Sequence, residues 1–70
     1  MGESVYKIIE LVGSSPNSWE DAAQAAVKTA GKSLKDLRVA EITKMDMTVE
    51  NGEVKAFRVR VNLSFKYATD

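Results

Sequence analysis

Val54-Lys55-Ala56-Phe57-Arg58-Val59-Arg60-Val61-Asn62-Leu63-Ser64-Phe65-Lys66-Tyr67 is the most regular stretch of this 70-residue chain. Phe57, Val59, Val61, Leu63, Phe65 and Tyr67 alternate with Arg58, Arg60, Asn62, Ser64 and Lys66. A period of two puts the first set on one face of a β-strand and the second on the other. One face is wholly apolar and the other wholly polar. A strand this long and regular predicts the centre of a sheet, paired on both sides.

Immediately upstream, Asn51-Gly52 favours a two-residue type I′ turn, because both residues tolerate positive φ. It makes Leu37 to Glu50 the hairpin partner of the regular strand. In that partner Val39, Met45, Met47 and Val49 fall on one side, and Ala40 and Ile42 on the other. The change of apolar side near Glu41 to Thr43 predicts a bulge or a switch of layer. Near the N-terminus, Val5 to Val12 reads as a further strand. Val5, Ile9 and Leu11 lie on one face; Tyr6, Ile8 and Val12 lie on the other. Gly13 to Asn17 is turn-forming, with Pro16 as a breaker.

Ser18 opens a helix, with Asp21 three residues on as a weak capping box. Trp19, Ala22, Ala23, Ala26, Val27 and Ala30 share one helical face. Glu20 and Asp21 at the start and Lys32 near the end suit the helix dipole. The alanines allow the helix to lie close to whatever it covers, and Gly31 helps to end it. The fold class is therefore α+β, in strand-helix-strand-strand order. One helix is partly wrapped by a three-stranded antiparallel sheet whose third strand is central. A single domain spans residues 1–70, with Met1 to Glu3 and Ala68 to Asp70 expected to be loose.

A chain this short buries only about 60% of the surface its unfolded form exposes. It holds no cysteine and no histidine, which excludes disulfides and thiolate–imidazole zinc sites. Oligomerisation is the remaining common source of buried area. A helix of about 16 residues spans roughly 24 Å, whereas a 14-residue strand reaches roughly 46 Å. The helix cannot cover the whole apolar face, and uncovered apolar surface marks an interface. Ten basic and ten acidic residues cancel, which argues against nucleic acid and anionic membrane as partners. No apolar run reaches membrane-spanning length and no signal-peptide core precedes the first strand, so the cytoplasm is the expected compartment.

No catalytic constellation can be assembled, because there is no histidine or cysteine to pair with a nucleophile. Ser14 and Ser15 read as turn and cap residues. Glu41, Asp46, Glu50 and Glu53 cluster around the hairpin. They read as a solvated hairpin, or as an oxygen-ligated Ca²⁺ or Mg²⁺ site completed by several copies of the chain. Arg58 and Arg60, flanked by Lys55 and Lys66, form a basic row without interleaved aromatics, which reads as a wet face before a nucleic-acid one. Trp19, on the apolar stripe, reads as core or interface packing.

The opening Val5-Tyr6-Lys7-Ile8-Ile9-Glu10-Leu11-Val12-Gly13-Ser14-Ser15, the alanine-rich helix, Ala40-Glu41-Ile42, the Asn51-Gly52 hairpin and Val61-Asn62-Leu63-Ser64-Phe65 together resemble the dodecin family. The resemblance covers nearly the whole chain. It implies a hollow homododecamer, the chain's main partner being itself, which acts in binding or storage and not as an enzyme. Flavin-binding members carry a tryptophan two residues before the glutamate matched to Glu41, and a glutamine right after the first aromatic residue of the third strand. Val39 and Arg58 stand at these positions. Val39 offers no aromatic face, and Arg58 only donates. The resemblance thus implies an altered flavin pocket, with flavin doubtful as a cofactor. Arg58 there suits a small anionic ligand bearing phosphate or carboxylate. The chain looks more like the subgroup without the tryptophan, some of which are calcium-associated. That subgroup implies calcium or magnesium, with Asp46 and Glu41 as candidate ligands. Flavin storage is the remaining alternative.

Overall fold

The computed structural model describes residues 3–69. Its elements are β1 (Ser4–Ser15), α1 (Trp19–Gly31), β2 (Leu37–Glu50) and β3 (Glu53–Thr69). The sheet order is β1-β3-β2, with β3 antiparallel to both neighbours. The strand-helix-strand-strand order and the central third strand agree with the alternation in the sequence.

Several boundaries differ from expectation, among them the helix, which has 13 residues and not about 16. β1 runs three residues past Val12, through Gly13, Ser14 and Ser15. A Cβ on Gly13 would lie 2.1 Å from the main-chain oxygen of Ala22. The glycine lets the strand pass directly beneath the helix, and the turn is left to Pro16 and Asn17. The expected loose C-terminal end is also paired, since Ala68 and Thr69 face Val5 and Ser4. Met1, Gly2 and Asp70 lie outside the described residues.

Ser18 caps α1 from an extended conformation, its Oγ accepting the Asp21 N–H at 3.0 Å. At the other end Gly31 is still helical and Lys32 is right-handed, so no left-handed glycine stops the helix. Tightened bonds from Lys32 N–H to the Thr29 carbonyl and from Ser33 N–H to the Ala30 carbonyl close it. The left-handed residue of this connection is Asp36. At the hairpin, Asn51 and Gly52 have φ of 54° and 77°, as a type I′ turn requires.

The core consists of Ala22, Ala26 and Ala30 from the helix against Val59, Val61 and Leu63 from the middle of β3. Trp19 sits edge-on to Phe57, with ring centroids 5.0 Å apart. A 13-residue helix is about 20 Å long, but the molecule extends 56 Å along its longest axis. Its radius of gyration, 14.6 Å, exceeds the roughly 11 Å of a compact 70-residue domain. Its accessible surface, 5179 Å², exceeds the roughly 4300 Å² expected for its mass. That excess is comparable to the roughly 800 Å² one partner buries in a standard interface. Ile42, Met45 and Met47 account for part of it. Their partners on β3 are Val61, Val59 and Phe57, on the helix side of the sheet, but they stand on the edge strand β2, to one side of a helix that packs mainly over β1 and β3, and about half of each is exposed.

Candidate functional site

The sheet's outer face is set by the even-numbered residues of β3 and the residues paired with them. Reading along β3 from the hairpin, Arg58 lies between Ser14 and Asp46, and Arg60 between Val12 and Lys44. Asn62 lies between Glu10 and Glu41, and Ser64 between Ile8 and Val39. Val39, Glu41, Asp46 and Arg58 are all on this face, whereas Glu50 and Glu53 pair with each other beside the hairpin turn.

Asp46 and Arg58 meet as a two-pronged ion pair. Arg58 Nε donates to one carboxylate oxygen and its terminal NH₂ to the other, both at 2.8 Å. This fork is the strongest geometry available to an exposed pair. The hydrogen-bonded Arg58 guanidinium holds the Asp46 carboxyl below its ordinary value of 3.8, and the charges of Arg58 and Arg60 act in the same direction. A lowered folded-state pKa stabilises the fold above the unfolded value, and this contribution is lost as pH falls through the folded value. NMR titration should therefore place the Asp46 midpoint below 3.8 in the wild type and higher in Arg58→Gln. A midpoint unmoved by the substitution would show that the pair does not persist in solution.

The main chain of Asp46 is engaged too, because its carbonyl accepts the indole N–H of Trp19 at 3.0 Å. One residue of β2 thus ties the start of the helix to the hairpin and fixes Arg58. Sequence reasoning assigned Trp19 to packing alone. The signal available was the lone indole N–H on the first turn of the helix, which must find an acceptor when half-buried.

The candidates do not converge within one chain. Val39 faces Ser64, six residues along β3 from Arg58, which is about 20 Å of strand. Glu41 and Asp46 are two pairs of rows apart, opposite Asn62 and Arg58, or about 13 Å. Among the described residues no group of three or more carboxylates is placed to hold a metal ion. A site using either pair needs a second copy of the chain. Val39 itself borders a cleft of about 150 Å³ shared with Val27, Leu37, Arg38, Ala40 and Leu63. At the opposite edge, a larger cleft of about 270 Å³ lies between Leu11 to Ser14 and the flank of the helix at Ala25, Ala26 and Thr29. No described helix is long and apolar enough to cross a membrane.

This arrangement matches known proteins along its whole length. The family model for dodecin matches residues 5–68. The calcium dodecin of Mycobacterium tuberculosis is 44% identical over 63 residues, covering 90% of this chain and 89% of the relative. A solved structure of that protein, described as a calcium-chelating immunodominant antigen with a novel calcium-binding site, has a TM-score of 0.82 at 43% identity, with 96% of each chain covered. The dodecin from Streptomyces coelicolor superposes with a TM-score of 0.91 at 30% identity, covering both chains completely. With the superposed fold and the family match in agreement, the chain belongs to the dodecin family.

Proposed function

We propose that the protein is a non-enzymatic binding or storage shell, a homododecamer in which the usual flavin pocket is altered. The observation that carries this reading is the apolar surface a single chain leaves open. Ile42, Met45 and Met47 lie on the core side of the sheet, but on the edge strand β2, which the helix over β1 and β3 leaves about half exposed. Another copy of the chain is the partner that would cover them. In such an assembly Val39 and Arg58, separated in one chain, are brought near their counterparts in a neighbour. Val39 withholds the aromatic face that would stack on a flavin ring, an interaction of about 0.5–1.5 kcal/mol beyond area burial. Arg58 is committed to Asp46.

The double variant Val39→Trp with Arg58→Gln tests the pocket. It restores the stacking ring and an amide that both donates and accepts. Flavin fluorescence should be quenched by the double variant and not by the wild type. A double variant that keeps the wild-type oligomer yet quenches nothing would contradict this account of the pocket.

Calcium binding is the second reading, favoured by the name and the described site of the Mycobacterium tuberculosis relative. Glu41 is the better candidate ligand here: it is exposed, and no ion pair engages it among the described residues. Asp46 could ligate only after leaving Arg58. Copies of Glu41 from several chains, meeting on a symmetry axis, would supply the oxygen ligands a hard cation needs.

A further inference from the structure

Arg58 is held by Asp46, but the next row of the outer face is arranged differently. The bulge between Ile42 and Lys44 shifts the register by one residue, so that Lys44 and not Thr43 stands opposite Arg60. The Thr43 hydroxyl donates to the Arg60 carbonyl at 3.2 Å and so fastens the displaced residue. A bulge that re-aims a side chain is a common device near functional sites. Here it places two cations directly opposite each other, an arrangement that destabilises a sheet when nothing lies between them. The ion pairs around them do not cancel this. Glu10 approaches Arg60 only at 4.0 Å, Asp46 is engaged by Arg58, and no carboxylate lies within ion-pair distance of Lys44 among the described residues. Val12, Lys44, Asp46, Arg58, Val59 and Arg60 line one small recess of about 30 Å³.

We propose that Lys44 and Arg60 form a binding site for a tetrahedral oxyanion, a phosphate either free or as the head of a phosphate monoester. Arg60 contributes the planar fork of donors and Lys44 a mobile point charge. Arg58 neutralises Asp46, whose carboxylate would otherwise repel the ligand, so that the positive charge of the site comes from Lys44 and Arg60. Glu10 loses only a long contact when Arg60 turns to the anion. The groups that would hold the anion all come from one chain.

The test combines stability with binding at constant ionic strength. In phosphate-free buffer Lys44→Glu should melt above the wild type, because a like-charge pair becomes an opposite-charge one. Added inorganic phosphate should raise the melting temperature of the wild type and of the control Lys55→Thr, and leave Lys44→Glu and Lys44→Thr unmoved. Calorimetric titration should show phosphate affinity reduced at least about tenfold in Lys44→Thr, the loss expected for a charged hydrogen bond. Glycerol phosphate binding more tightly than inorganic phosphate would identify a monoester head, and equal binding a free ion; both uphold the site. Lys44→Glu melting below the wild type, phosphate acting equally on wild type and Lys44→Thr, or no phosphate effect on the wild type would each overturn the proposal.

Discussion

Gly13→Ala should destabilise the protein by about 3 kcal/mol or more, the upper end of what overpacking a core costs. The added methyl would lie 2.1 Å from the Ala22 main-chain oxygen and 3.1 Å from the Ala26 Cβ. The first of these is helix backbone, which cannot turn aside as a flexible side chain can. Strand and helix must separate, and the contacts of Ala22 and Ala26 with Val59, Val61 and Leu63 loosen with them. Gly52→Ala is the informative control. Gly52 has open space around it and strain only from its φ of 77°, so its cost should be about 1–2 kcal/mol. Denaturant midpoints at one fixed chain concentration compare the two, since assembly makes stability concentration-dependent. Equal losses would mean that the close approach of β1 to the helix is not what the glycine is for.

The second large effect is on assembly. Met45→Asp with Met47→Asp should convert the oligomer to small species while the single chain keeps its secondary structure. Both side chains are about half exposed in one chain, so charging them leaves Val59, Val61 and Leu63 packed. In an interface the same charges would be buried without partners, at several kcal/mol each. Sedimentation velocity, read beside far-ultraviolet circular dichroism, separates dissociation from unfolding. Phe65→Asp is the contrasting variant. Phe65 lies on the apolar face between Lys7 and Leu37 and is half-buried already, so its replacement should damage the chain's own fold as well. An unchanged sedimentation profile for the methionine variant would place the interface elsewhere.

The elements were legible because each carries a local signature that tertiary structure did not override. The alternation from Phe57 to Tyr67 gave the central strand, Asn51-Gly52 the hairpin, and Ser18 the helix start. The bulge expected between Glu41 and Thr43 also appears, as the register shift between Ile42 and Lys44. What stayed hidden depends on register. Counting back from the turn with no interruption would set Asp46 opposite Phe57. A second bulge, between Thr48 and Val49, moves it opposite Arg58. Nothing in the sequence around Thr48 announces that bulge, so the ion pair at the centre of the outer face could not be derived. Gly13 misled for a related reason. A glycine after a strand reads as a turn, and only the packed helix shows that it serves a close approach. The candidate site was read as residue types in plausible positions, but its geometry is inter-strand, and Val39 faces Ser64, six residues along β3 from Arg58.

Native mass spectrometry of freshly purified protein, before and after mild denaturation, tests the central claim most directly. The account predicts a twelve-chain mass that carries no flavin, with metal ions as the only added mass if the calcium reading holds. Mild denaturation should then release single chains of 7.7 kDa. A single-chain mass under native conditions would contradict the claim, because the open surface around Met45 and Met47 would have no partner. A twelve-chain mass carrying flavin would keep the shell and contradict the altered pocket.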